Sequence, residues 1–198
     1  MKVAICICTY RRPDGLRKLL EHINTLETTH TLSIAVADND EVQQAGVKLI
    51  DQMRSELRWP VTAQAVPEQG ISFSRNTAAR LGLAADPELV AFIDDDEWPE
   101  PRWLDELVRV QQVTGADAVG GPTKPAFPEG VTESIRDNEY YGADMKLEDG
   151  SECQLEAAGN FLIRAATLRA AGPLFFHPDF ARSGGEDLAF FMRLQQTG

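Results

Sequence analysis

A chain of 198 residues with 43% hydrophobic content can bury one sizeable core, so a single domain over 1–198 is expected. Its 19 basic against 31 acidic residues leave a formal net charge of -12, which excludes sequence-independent nucleic-acid binding, because that depends on Lys and Arg neutralising phosphates. No apolar run approaches the roughly 18 residues of a membrane span, and the opening run Val3 to Cys8 is too short for a signal-peptide core, so a soluble cytoplasmic protein is expected.

Val3 to Cys8 reads as a buried strand, and Pro13 opens an amphipathic helix with Leu16, Leu19, Leu20, Ile23 and Leu26 on one stripe. Cys6 and Cys8 share that strand and, with Cys153, form no metal-ligand spacing, which reads as reduced core thiols. Leu32 to Ala37 is a second strand ending at Asp38, Asn39 and Asp40. Val47, Ile50, Met53 and Leu57 give the following helix its buried face. Val61 to Val66, the turn Glu68 to Gly70, the helix Ile71 to Ala84 and the strand Leu89 to Ile93 repeat the pattern. Strands alternating with helices through short connections predict an α/β, doubly wound, mostly parallel sheet.

Arg102 to Gln112 is then helical on Trp103, Leu104, Leu107 and Val108, and Ala116 to Val119 is a strand closed by Gly120-Gly121-Pro122. Lys124 to Gly150, rich in Pro, Gly and acids, predicts an irregular excursion over an active site. Glu156 to Arg164 restores order around Gly159-Asn160 and an apolar run, and a short helix runs from Ala165 to Gly172-Pro173. Gly184-Gly185 leads into Glu186 and Asp187 at the start of a last helix, with Leu188, Phe191 and Met192 as its apolar residues. The chain stops just after that helix, which reads as a C-terminal truncation.

The chemistry concentrates at Leu89 to Pro99, where an apolar strand runs straight into Asp94, Asp95, Asp96 and Glu97. Adjacent carboxylates repel and raise each other's pKa unless a cation or donors compensate them. Strand alternation through the acids would set Asp94 and Asp96 on one side, able to share a hard cation, with Asp95 on the other. A solvated loop that caps the next helix is the competing reading. Thr9 to Arg12, Asp38 to Asp40 and Asp94 to Asp96 all follow strands, so a parallel sheet places them along one edge, where ligands of open α/β sheets bind. Arg75 and Asn76 sit among small residues that let their helix approach a neighbour; Arg75 suits an anion or an ordinary salt bridge equally. Asp187 is a candidate base, and the helix dipole favours an acid there even without a function. His177, beside Pro178, reads as structural.

Together, CTYRRP (8–13), VADND (36–40), GISFSRN (70–76), FIDDDE (92–97) and SGGEDLAFF (183–191) resemble, in order and spacing, the family-2 inverting glycosyltransferases of the GT-A fold. The similarity is closest to bacterial exopolysaccharide enzymes such as the succinoglycan-type β-1,4-glucosyltransferases. This resemblance implies a hexosyltransferase that uses a UDP-sugar, with 1–123 as a nucleotide-binding half and 124–198 as an acceptor and catalytic half. Thr9 and Tyr10 would flank uracil and ribose, Asp38 would bond the uracil side, and Arg75 would lie beside the nucleotide with Asn76 holding the loop. Arg12 and Asp95 belong to the same nucleotide-binding set. Asp94 and Asp96 would match the family's DxD motif around Mg2+ or Mn2+, with Asp94 also reaching the ribose or donor sugar. Gly159 and Asn160 would border that sugar, Asp187 would be the base and Glu186 would lie near the acceptor. The acceptor implied is a saccharide or a lipid-linked oligosaccharide, with peripheral association at the inner face of the membrane.

Three other readings are weaker or less productive. A receiver domain wants acids after the first strand, where Thr9-Tyr10-Arg11 stands, and a sugar nucleotidyltransferase wants an N-terminal Gly-rich phosphate loop that is absent. A non-catalytic nucleotide-binding or scaffolding relative of the same fold is the alternative that turnover separates from an enzyme.

Overall fold

The structure is a computed structural model that describes residues 1–136, 147–172 and 174–197; the predicted excursion and the predicted Gly172-Pro173 helix end lie partly outside the described residues. Six strands, β1 (Lys2–Thr9), β2 (Thr31–Asp38), β3 (Val61–Ala65), β4 (Leu89–Asp94), β5 (Ala118–Gly120) and β6 (Asn160–Arg164), form one sheet in the order β3-β2-β1-β4-β6-β5. The helices are α1 (Pro13–Asn24), α2 (Ala45–Met53), α3 (Ile71–Ala84), α4 (Trp103–Thr114), α5 (Glu133–Arg136), α6 (Ala165–Ala170) and α7 (Glu186–Thr197), with a 3-10 turn at Pro178–Phe180.

The first four strands are parallel, as the alternating pattern predicts, but β6 runs antiparallel to both β4 and β5. Chain geometry explains the reversal. β5 leaves the sheet at Gly120 and the chain comes back at Asn160 on the same end, where the Gly121 N–H donates to the Asn160 carbonyl at 3.0 Å, so the returning strand has only the opposite direction open to it. Register then sets the site: Thr9 lies opposite Asp38 and Cys8 opposite Asp94. All three polar clusters therefore emerge at the carboxyl ends of neighbouring parallel strands.

Strand alternation divides the core into two layers. Ile5, Ile7, Ile34, Val36 and Ile93 face α1, α2 and α4, whose stripes Leu16-Leu19-Leu20-Ile23, Leu49-Ile50-Met53 and Leu104-Leu107-Val108 are buried. Cys6, Ala35, Val90 and Phe92 face α3, α6 and α7 on the other side. The small residues of α3 allow the close contact expected of them: a Cβ on Gly82 would fall 2.6 Å from the Cys6 Sγ, and Ala78 and Ala79 have no exposed surface. Aromatic rings fill the rest, with Phe92 stacked on Phe161 at 4.7 Å and Phe176 against Phe190 at 4.7 Å.

Those rings also correct the predicted face of the last helix. Phe190 and Phe191 point inward, while Leu188 and Met192 are 37% and 47% exposed. Contacts of Phe190 with Phe176 and of Phe191 with Phe161 fix the rotation of α7, and Leu188 and Met192, one turn apart, fall on the outer side. Among the described residues, no helix is long and apolar enough to cross a membrane.

Candidate active site

A cleft of about 670 Å3 opens at the carboxyl ends of β1, β2 and β4. Thr9, Tyr10, Arg12 and Asp94 to Asp96 line it on the strand side, and Gln69, Gly70, Ala181 and Arg182 on the other. Tyr10 is 39% exposed at this surface.

The acids do not keep strand alternation, because β4 ends at Asp94 and a turn closes there, with the Glu97 N–H donating to the Asp94 carbonyl at 3.1 Å. Asp95 is buried and accepts from the Thr9 hydroxyl at 2.8 Å and from Arg12 Nη1 at 3.2 Å. The same Arg12 nitrogen donates to Asp96 at 2.6 Å. Asp94 is held separately, by Arg75 Nη2 at 3.3 Å and 3.4 Å. Asp95 and Asp96 thus share a guanidinium and Asp94 has its own, in place of the predicted side shared by Asp94 and Asp96. Burial pushes the Asp95 carboxyl up, against the pull of Thr9 and Arg12.

Negative charge is nevertheless in excess here. Glu97 is pushed up to about 7, first by burial and then by the Asp94 carboxylate. Gly159 closes over the pair: a Cβ there would come within 2.9 Å of Glu97 Oε1 and 3.1 Å of Asp94 Oδ2, so a larger residue would push these carboxylates aside. Among the described residues, no group of three or more His, Cys, Asp or Glu side chains is gathered to hold a metal. Asp94 and Asp96 still supply two hard-oxygen donors at the cleft, with side chains 36% and 59% exposed, and that donor type suits Mg2+ or Mn2+ once a ligand brings further oxygens.

The second half of the site comes from α7. Gly184 and Gly185, with φ of 75° and 86°, turn the chain into Glu186 and Asp187. Arg75, its side chain only 7% exposed, donates to Glu186, reaches Asp94, and lies 3.8 Å from Asp187 Oδ2. Burial opposes its charge, but Asp94, Glu186 and Asp187 more than offset this and hold the guanidinium more firmly protonated than usual. Glu186 is pushed up by burial while Arg75 pulls it down. Arg75 is therefore a buried cross-link between the acid cluster and the start of α7, and it is not among the residues that line the cleft. Asp187 also serves its own helix, accepting from the Leu188 N–H at 2.8 Å.

Several other predicted site residues turn out to be spent on structure. Asp38 has no exposed surface; its oxygens accept from the N–H groups of Gly46 at 2.7 Å, Val47 at 3.2 Å and Asp40 at 3.1 Å, which ties the end of β2 to the start of α2. Asn160 accepts from the Trp103 indole at 2.7 Å and donates to the Pro122 carbonyl at 3.0 Å, which binds β6 to α4. Asn76 donates to the Phe176 carbonyl at 2.7 Å and accepts from the Phe176 N–H at 2.9 Å. With the Ser72 hydroxyl on the His177 carbonyl at 2.9 Å and the Ile71 N–H on the Ala181 carbonyl at 3.0 Å, it clasps the 176–181 segment to α3. Asn76→Ala is expected to cost about 2–4 kcal/mol, read from urea denaturation, since two buried backbone groups lose their partners. His177 Nδ1 accepts from the Asp179 N–H at 3.3 Å.

Sequence reasoning placed Asn39 in the 38–40 cluster without giving it a role, and missed Gln69, Ser74 and Arg182 as cleft residues. Asn39 holds the 68–70 turn, donating to the Glu68 carbonyl at 2.8 Å and accepting from the Gly70 N–H at 2.8 Å. Its place inside VADND was a usable signal; Arg182, outside every motif except by adjacency to SGGED, gave none.

The chain is 29% identical over 205 residues to the succinoglycan biosynthesis protein ExoM of Rhizobium meliloti, covering 100% of this chain and 62% of that protein. It is 28% identical over 185 residues to the glycosyltransferase AglE of Haloferax volcanii, covering 93% and 58%. The chain thus spans about three-fifths of the length of these relatives. Among solved structures, S. aureus TarS 1-349 in complex with UDP superposes with a TM-score of 0.71 at 19% identity, covering 98% of this chain and 55% of that one. The mannosyltransferase PcManGT of Pyrobaculum calidifontis, in complex with GDP-Man and Mn2+, gives 0.69 at 17%, covering 99% and 52%. Such distant likenesses show the GT-A glycosyltransferase fold. Residues 4–171 match the profile of Glycosyl transferase family 2, and the chain belongs to that family.

Proposed function

We propose that this domain transfers a hexose from a UDP-sugar, with inversion, to a saccharide or lipid-linked acceptor in polysaccharide biosynthesis. The observation that carries the reading is the linkage of two carboxylate groups through one buried guanidinium: Asp94 to Asp96, which line the cleft at the strand ends, and Glu186-Asp187 of α7, tied to Asp94 through Arg75. The first group suits a nucleotide diphosphate with a cation, and the second suits activation of a hydroxyl. The names of the relatives support the same reading: ExoM in succinoglycan biosynthesis, and TarS structures with UDP and UDP-GlcNAc.

Tyr10 would lie along the nucleoside, where its exposed ring offers a stacking face, and Thr9 would orient Asp95 from below. Asp94 and Asp96 would hold Mg2+ or Mn2+, which when bound stabilises the charge developing on the departing diphosphate. Asp187 would take the proton from the attacking acceptor hydroxyl. Arg75 would keep Glu186 and Asp187 at the donor end of the cleft. Direct attack on the face opposite UDP inverts the anomeric carbon, so an α-linked donor yields a β-linked product.

Calorimetric titration of UDP tests the donor site. Binding is expected with Mn2+, to weaken strongly in EDTA, and in Asp96→Ala to lose its metal dependence. Equal affinity for UDP in all three conditions would remove the metal from Asp94 and Asp96.

A further inference from the structure

The cleft contains two arginines that differ in one respect. Arg12 already spends Nη1 on Asp95 and Asp96. Arg182 lines the opposite wall, with neither an ion pair nor a hydrogen bond from its side chain among the described residues. A cation without a partner facing a cleft is common on surfaces, so its presentation has to decide whether it has a role.

The backbone that presents it is fixed. Ala181, the preceding residue, accepts from the Ile71 N–H at 3.0 Å and donates to the Pro178 carbonyl at 2.9 Å. It also packs so closely on Gly70 that a Cβ there would lie 2.6 Å from the Ala181 Cβ, at a φ of 146°. Arg182 therefore leaves a segment clasped to α3, next to Gln69 and Gly70 of the cleft wall, while its own side chain remains uncommitted. Charge supplies the rest. On the facing wall Asp95 and Asp96 share Arg12, and Asp94 shares the buried Arg75 with Glu186, so carboxylates outnumber guanidiniums there, and the uncommitted positive charge of Arg182 lies across the cleft.

We propose that Arg182 is a specificity-determining residue of the donor site: it takes the diphosphate of the nucleotide from the wall opposite the acids, through the charge-assisted, forked hydrogen bonds that guanidinium makes with phosphate. This rests on the reading of the cleft as a nucleoside-diphosphate site. Two consequences follow from the placement. Arg182 reads the phosphates and not the nucleoside, so it favours a diphosphate over a bare nucleoside. It is also separated from the candidate base only by Ser183 to Glu186, so a diphosphate held by Arg182 draws on the same segment that carries Asp187.

The test titrates UDP and uridine separately into the wild-type chain, Arg182→Ala and Arg182→Lys, all with Mn2+. Because Arg182 is an exposed residue without internal bonds, both variants are expected to keep the wild-type melting temperature. UDP affinity is expected to fall roughly 10- to 100-fold in Arg182→Ala, with Arg182→Lys in between, while uridine affinity stays within about twofold. Unchanged UDP affinity in Arg182→Ala would overturn the assignment. Equal weakening of UDP and uridine would also overturn it, as the loss would then lie with the wall and not with the phosphates. Failure of the wild-type chain to bind either compound would instead sink the nucleotide reading of the cleft, and this assignment with it.

Discussion

Asp187→Asn is expected to lower transfer by about 10^2- to 10^4-fold while leaving UDP affinity unchanged, because the amide keeps the shape and the hydrogen bond from the Leu188 N–H but takes no proton. The two readouts separate the roles. Asp187 does not line the main cleft, and its nearest described cation is Arg75 at 3.8 Å, so donor binding has no reason to change. If Asp187 only capped α7, the Asn variant would turn over normally, since Asn caps helices as well as Asp does. Normal turnover measured by UDP release would therefore remove it as the base.

Loss of Arg75 should have the largest effect on stability. Arg75 and Glu186 have side chains 7% and 4% exposed, and removal of one member of a buried pair leaves the other charge unpaired in a poorly solvated place. Arg75→Met is expected to destabilise the fold by about 3–5 kcal/mol in urea denaturation. The Asp94 side chain, 36% exposed, adds little to that figure, because solvent reaches it. Arg75→Met combined with Glu186→Leu should regain most of the loss, because the pair is then replaced by apolar groups together. A single variant as stable as wild type would show that Glu186 is solvated or neutral without Arg75, and the cross-link would lose its energetic content.

Much of this arrangement was legible in residue order. The strand runs at Val3, Leu32, Val61 and Leu89 and the stripes of α1 and α4 appear within a residue or two of their observed places, because apolar periodicity is local and the parallel sheet repeats it. The small residues of α3 announced close packing before any neighbour was known. The direction of β6 was not legible: it depends on the end of the sheet at which the chain rejoins it at Asn160. Nor was the inward face of α7, where Leu188 and Phe191 are equally apolar and only ring contacts with Phe161 and Phe176 choose between them.

The site divides along the same line. Residue types and their order along the chain were enough to bring Thr9, Tyr10, Arg12 and Asp94 to Asp96 to one cleft and to nominate Asp187, because strand ends of a parallel sheet lie side by side whatever the details. Tertiary contacts alone decided which of the nominated polar groups are free. Asp38 capping α2, Asn160 holding Trp103, Asn76 clasping Phe176 and Arg75 bridging Asp94 to Glu186 are all partnerships between residues distant in sequence. A polar side chain has the same chemistry whether it is satisfied or waiting, so its sequence declares what it can bond, and only the folded neighbours determine whether that bond is already made.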